Sequence, residues 1–352
     1  DDNGRSWQRL SGGFPSGKFV GRIGLAVSAD SPDSVYAVVD NQEPLPESEW
    51  ELGGHPLSAK RLRTMSKEEF LQQDKDIIEQ FIRNNDIHPD IDADKLITML
   101  DNDELTLDAL RDSLINANAN LFNADIKGME LYRSDDLGNS WYRTHEQAIS
   151  QVVYSYGYYF GQVRAAPDDI DRVYLLGVPL ITSADGGKTF SGLNDPKVHV
   201  DHHSLWIDPA NSQHIMLGND GGLDISYDGG QSWLKLDAQP VGQFYTIQVD
   251  MEKPYNVYGG LQDNGTYKGS SRNRWQDGPS WSHINGGDGM YVAVDPRDSS
   301  TVYTGYQFGN YVRLGKGGRN TVRPRNQLLE DPLRYNWNTP VILSPHHSDV
   351  VY

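Results

Sequence analysis

The 352-residue chain contains no cysteine, which excludes disulfide staples and thiolate metal sites and leaves the redox compartment unread. No apolar run approaches the ~20 residues that a membrane-spanning helix requires. Basic residues are in the minority, 31 Lys and Arg against 49 Asp and Glu, for a formal net charge of −18. That sign argues against nucleic acid and anionic membrane surfaces and fits cations, neutral sugars or basic proteins. Phosphate-loop, nucleophile-elbow and zincin motifs are absent from the sequence, so nucleotide, serine-hydrolase and zinc-protease chemistry has no support. The first residues carry no signal-peptide pattern.

What is present is repetition. The pattern Ser-x-Asp-x-Gly-x-x-Trp/Phe occurs at Ser134–Trp141, Ser183–Phe190 and Ser226–Trp233, and Asp2, Gly4 and Trp7 form a fourth copy without its serine. In this spacing the carboxylate accepts backbone N–H groups across a tight turn, the glycine supplies φ > 0, and the aromatic residue opens the next strand. A second repeat, a strand, a proline-containing turn and a strand, is anchored at Tyr36, Tyr174, Met216, Tyr258, Tyr303 and Tyr352. The gaps between these anchors are 138, 42, 42, 45 and 49 residues. The last four gaps lie at or just above the ~40–45-residue period of four-stranded propeller blades.

Both repeats keep one register, so each blade is written as strands A to D, with the proline turn joining A to B and the Ser-x-Asp turn joining C to D. The expected fold class is all-β, a β-propeller of four-stranded antiparallel blades spanning 1–352. It holds five complete blades, a strand D in 1–13 and strands A and B in 337–352. Open edges of such an arc need covering, which calls for the remainder of a larger chain, a partner protein, or a last blade shared between the termini.

The long first gap carries a different pattern. Ser66-Lys67-Glu68-Glu69 is a capping box, and Phe70, Ile77, Ile78, Phe81 and Ile82 follow at helical spacing. A helical insertion is expected over 55–122, between strands B and C of the first complete blade. Asp90-x-Asp92-x-Asp94 resembles the start of a calcium loop, but Lys95 and Asp101 replace the required Gly and Glu, so these carboxylates read as helix caps.

In a propeller the D–A and B–C connections meet on one face, around the channel mouth, and the Ser-x-Asp turns lie on the other. Asp136, Asp185 and Asp228 are therefore structural. The near face collects Arg22, the tyrosine-rich stretch from Tyr156 to Gln162, His199, Asp201, His202, His203, Asn219, Asp220, Gln243, Tyr245, Gln262, Asp263, Asn264, Asp288, Gln307 and Trp337. Carboxylates, amides, imidazoles and rings together suit polyhydroxylated ligands. Asn-Asp-Gly-Gly and Asp-Asn-Gly are also ordinary turn sequences, and the alternating tyrosines 154–159 read as a strand with some rings in the core. His199, Asp201 and His203 would share one side of a strand with His202 on the other. They form a possible calcium or zinc set, against the plainer reading in which they brace neighbouring loops.

Segments such as HVDHHSLWIDP, LGNDGGLDISYDGGQSW and NGGDGMYVAVDP resemble bacterial sortilin-like proteins with BNR, or Asp-box, repeats, a group often labelled glycosyl hydrolase. They are more distantly similar to xyloglucanase-like and sialidase-like propellers. The resemblance covers nearly the whole chain except the helical insertion, and it implies a secreted, periplasmic or cell-surface location. In the xyloglucanase-like enzymes an acidic residue in an Asp-x-Gly-Gly turn after strand B is one of two catalytic carboxylates. Asn219-Asp220-Gly221-Gly222 resembles that turn, Asp263 takes the equivalent place one blade later, and a second full copy of the catalytic pattern is missing. Two functions follow: a propeller that binds a glycan or a peptide ligand at the near face, or a glycosidase that uses Asp220 with Asp263 or Asp288 as acid and base.

Overall fold

Short runs of β-branched and aromatic residues separated by Gly, Pro, Asn and Asp dictate short antiparallel strands with tight turns. The computed structural model describes residues 3–7, 12–46, 49, 55–58, 60–85, 87–114, 125–193, 195–236, 241–272, 281–324, 328, 330 and 333–352. Among these, the strands form five four-stranded antiparallel sheets, each built from strands consecutive in sequence. That succession of up-and-down sheets is the blade pattern of a β-propeller. The chain divides into two compact units, one of residues 1–50 and 121–241, the other of residues 51–120 and 242–352.

The first unit holds three blades. They are β1 (Val20–Val27), β2 (Val35–Pro44), β3 (Ile126–Ser134) and β4 (Tyr142–Arg143); then β5 (Gln162–Ala166), β6 (Asp169–Leu176), β7 (Leu180–Ser183) and β8 (Ser191–Gly192); then β9 (His202–Asp208), β10 (Asn211–Asn219), β11 (Gly222–Ser226) and β12 (Leu234–Leu236). Alternation places Ala26, Val38 and Leu131 of the first blade against Val163, Val173 and Leu175 of the second. Tyr174, Leu176 and Leu180 of the second then meet Leu205, Ile215, Leu217 and Trp233 of the third. Truncating one such fully buried side chain to alanine typically costs about 2–5 kcal/mol.

The three C–D turns share one construction. Ser134, Ser183 and Ser226 are buried, and each hydroxyl accepts the glycine N–H four residues on, at 2.8, 2.9 and 2.8 Å, while donating to the aspartate. Two successive left-handed residues follow, Leu137–Gly138, Gly186–Gly187 and Gly229–Gly230, and Asn3–Gly4 repeats the pair near the start. The Trp7 indole donates to Gly4 O as Trp141 does to Gly138 O. Residues 3–7 form the incoming turn, and of the strand D expected within 1–13, residues 8–11 lie outside the described residues.

Hydrogen bonds from the Ser140 and Ser232 hydroxyls hold the Asp136 and Asp228 carboxyls down at about 2, and Thr189 lowers Asp185 in the same way. A carboxylate depressed in the folded state stabilises it above the unfolded pKa, and that contribution is lost as pH falls through the folded value. The melting temperature is therefore expected to drop between pH about 4 and about 2. A Ser134→Ala/Ser183→Ala/Ser226→Ala variant should melt lower at pH 7 and show a shallower acid slope. Identical slopes in the two proteins would remove these turns from the pH response.

The second unit contains α1 (Arg61–Thr64), α2 (Lys67–Leu71), α3 (Lys75–Asn84), α4 (Ala93–Asp101) and α5 (Leu107–Ser113), which fall between β2 and β3 in the chain. It also holds the blades β13 (Phe244–Val249), β14 (Asn256–Leu261), β15 (Gly265–Ser270), β16 (Trp281–Asn285) and β17 (Val292–Val294), β18 (Val302–Tyr306), β19 (Asn310–Gly315), β20 (Gly318–Thr321). Ser66 and Glu69 form the capping box of α2. Phe70, Ile78, Phe81, Leu96, Leu100 and Leu110 make the helical core, onto which Leu328 packs. Asp92 caps α4 by accepting Lys95 N at 2.8 Å, and Asp94 pairs with Lys75. In the last segment Leu343 bridges Val351. No described helix is long and apolar enough to cross a membrane.

Candidate functional site

The B–C connections leave each blade at the ends of its second and third strands, so the residues there are set by strand register. Asp220 follows the last residue of β10, where Asn219 pairs with Gly222 across a two-residue loop. His203 lies in β9 beside it, and its Nε2 is 2.9 Å from Asp220 Oδ1, an ion-pair approach without hydrogen-bond alignment. The His203 ring stacks on Phe160 at 5.2 Å and meets the edge of Tyr159 at 4.9 Å. Gln162 Nε2 donates to His203 O, and the Gln162 oxygen accepts from Arg164 at 2.9 Å. Arg22 donates to Tyr159 O at 2.6 Å. Arg22 and His203 therefore meet one turn, residues 154–160, and Gln162 and Asp220 reach it through His203.

That turn is not the strand its alternating tyrosines imply. Residues 151–159 are a run of turns, and Gln151 and Tyr154 occupy the left-handed region, which breaks any period of two. Tyr158 is 71% exposed and Tyr159 55% exposed. Non-glycine residues in that region are uncommon and concentrate where surrounding structure imposes a conformation, often at binding sites.

Against Gly157 of this turn stands a carboxylate that carries no turn motif. Asp40 is buried within β2, opposite Met129, and its Oδ1 accepts Gln42 Nε2 at 2.6 Å. Burial raises its pKa against the lowering effect of that bond. A Cβ placed on Gly157 would lie 2.0 Å from the Asp40 carboxyl carbon, and one on Gly21 would lie 2.3 Å from Asp40 Oδ2. Glycine at these two places makes the room that the carboxyl occupies. Asp40 stands four residues after the anchor Tyr36, as Asp220 stands four after Met216; that shared register is the signal that would have found it.

The histidine cluster is corrected by the backbone. Asp201 is left-handed and β9 begins only at His202, so strand alternation does not run through 199–203. His199 Nδ1 bonds Val200 O at 2.8 Å and His203 faces Asp220. Among the described residues no three His, Asp or Glu side chains are placed to grip an ion, and the set His199, Asp201, His203 does not form one. His202 is buried and pushed down to about 4 by desolvation, with His199 and His203 adding to the shift, so it is neutral at pH 7.

In the second unit the sequence-selected residues form another cluster. Asp288 is buried; its Oδ1 accepts Gln307 Nε2 at 2.7 Å and its Oδ2 accepts the Tyr245 hydroxyl at 3.2 Å. Trp337 donates its indole N–H to Tyr245 at 3.3 Å and sets its ring edge against Phe308. Burial raises the Tyr245 pKa, and the charges of Asp288 and Asp263 add to it. Asp263 sits left-handed in its three-residue loop, where Gln262 N bonds Gln243 O and Asn264 bonds Gln262 O. Gln243, Gln262 and Asn264 thus fix the loop through the backbone. Each Asp288 oxygen thus accepts one hydrogen bond from a neighbouring side chain. Asp220 and the pair Asp263 and Asp288 belong to different units.

No family model and no curated protein matches the chain. Among solved structures the chain is similar to a GH74 enzyme of Niastella koreensis, at 15% identity over 55% of this chain and 34% of that one, with a TM-score of 0.29. It is similar to the GH74 xyloglucanase of Xanthomonas campestris at 17% identity over 55% and 34%, TM-score 0.26. It is also similar to YCF48 from Cyanidioschyzon merolae at 13% identity over 55% and 66%, TM-score 0.23. The matched region spans about a third of each of those two enzymes.

Proposed function

We propose that the protein is an extracytoplasmic propeller of the Asp-box kind that binds a neutral glycan at the near face of its first unit. The observation that carries this reading is the exposed turn of Tyr158 and Tyr159, with Asp40 seated against its Gly157 and the His203–Asp220 pair against Tyr159 and Phe160. Exposed tyrosine rings offer flat apolar faces to the C–H side of a sugar and a hydroxyl to its polar edge, while the flanking carboxyls accept hydroxyl protons. The test is a binding panel of xyloglucan, β-glucan and starch oligosaccharides, with polygalacturonate and a basic peptide as controls. Tyr158→Ala/Tyr159→Ala should weaken retention at least tenfold with an unchanged melting temperature, the scale of a lost aromatic anchor. Capture of the peptide alone would replace the glycan reading with a protein-ligand one.

A second reading, glycoside hydrolysis, is favoured by two carboxyls of the first unit in different states, Asp40 raised by burial and Asp220 paired with imidazole. Asp40 would give its proton to the glycosidic oxygen as the C–O bond breaks, and Asp220 would take a proton from the water that attacks the sugar carbon. Release of reducing ends from the panel measures it.

A further inference from the structure

The Asp220 turn rests on a buried charge pair that ligand contact does not require. Asp224 of β11 is 0% exposed and stands directly opposite Lys235 of β12 in the ladder. Its Oδ2 accepts Asn219 Nδ2 at 2.8 Å and lies 3.6 Å from Lys235 Nζ, while among the described residues its Oδ1 and the lysine ammonium find no hydrogen-bond partner. Asn219 uses its other amide atom to accept Gly221 N–H at 3.0 Å. A Cβ on Gly221 would come 3.1 Å from Lys235 Nζ and one on Gly222 3.7 Å, so the ammonium sits directly beneath the loop. Burying two charges with incomplete hydrogen bonding is costly, and apolar residues at such a pair of strand positions commonly do as well for stability. A ladder pair kept in this state points to a role other than holding the blade.

We propose that Asp224 and Lys235 are positioning residues of the near-face site: they orient Asn219, which clamps Gly221 N–H and so presents the Asp220 carboxylate to His203. The inference rests on the glycan-binding reading above for its functional consequence, but the geometry it asserts is measurable without a ligand. Two variants test it, Asn219→Ala, which removes the clamp, and Asp224→Leu/Lys235→Met, which removes both charges together so that neither is left buried alone. In each, hydrogen exchange at Gly221 should quicken at least tenfold while the amides of Leu217 and Ile225 keep their protection, and the His203 ring resonances should move toward those of Asp220→Ala. Dissociation constants for xyloglucan and β-glucan oligosaccharides should rise about tenfold, the scale of one lost hydrogen-bonded contact. Folded variants with unchanged Gly221 exchange and unchanged His203 resonances would overturn the positioning role. If the wild-type protein binds neither oligosaccharide, the glycan reading fails by itself, and the exchange and resonance measurements still decide the positioning role.

Discussion

Gly157→Ala is expected to abolish glycan retention and to lower stability by about 1–3 kcal/mol, the usual cost of forcing extra atoms into a packed site. The added carbon would lie 2.0 Å from the Asp40 carboxyl carbon, and no real contact is that short. Asp40 is buried, and Gly21 also lies against it, a Cβ there coming 2.3 Å from Asp40 Oδ2. The carboxyl must therefore leave its seat or the tyrosine turn must lift, and either outcome separates Asp40 from Tyr158 and Tyr159. Thermal melting of Gly157→Ala, Asp40→Ala and the double variant separates the cause. A clash with Asp40 predicts that the double variant recovers most of the lost stability, since residues in contact are not additive. A Gly157→Ala protein that melts and binds as the wild type does would show that the two glycines do not define the site.

Asp40→Asn is expected to move stability and activity in opposite directions. The folded pKa of Asp40 is raised above its ordinary 3.8 by burial. The penalty of ionising it in the folded state is therefore fully present above the folded pKa and vanishes below the unfolded one. Asparagine cannot ionise, so the variant should melt higher than the wild type at pH 7, with the difference closing as the pH is brought down toward 4. Hydrolysis of a responsive glycan should fall by about 10²–10⁴, the scale of a lost general acid, while binding is largely kept because the amide preserves shape and most hydrogen bonds. A variant that hydrolyses as fast as the wild type would take the acid role from Asp40, and one that melts lower at pH 7 would show that its carboxylate is stabilised by the fold.

The elements of the site differ in how far they could be read in advance. Asp220 was legible because an Asn-Asp-Gly-Gly hairpin turn announces itself in four consecutive residues. Asp40 shares its register but is followed by Asn41-Gln42 and then by the long insertion, so no local turn pattern marks it, and its raised pKa comes from burial, in a seat bounded by Gly21 and Gly157. The tyrosine turn misled because alternation counts residues and takes no account of φ: left-handed Gln151 and Tyr154 reverse the chain where a strand would continue. Tyr245, Asp288, Gln307 and Trp337 were each selected by their place on the near face, yet their mutual hydrogen bonds depend on three separate loops meeting. Asp224 and Lys235 escaped notice altogether, because a single charged residue in a short strand looks solvent-facing until its ladder partner is known.

The sequence by itself determined the period, the four-stranded blade and the position of the three Ser-x-Asp turns, because those features depend on contacts within a few residues: a serine hydroxyl reaching a glycine N–H four positions on, a left-handed pair, an aromatic ring at the next strand. It also determined the helices of 61–113, whose 3.6-residue apolar spacing and capping box are local signals. Only the tertiary structure decided which side chains share a site and in what state of ionisation. Desolvation of Asp40, the neutral state of His202 and the approach of His203 to Asp220 arise between strands and loops that are tens to over a hundred residues apart in the chain or are set by the depth at which the blade buries them. Such quantities depend on distance and dielectric in space, and neither is written in the order of the residues.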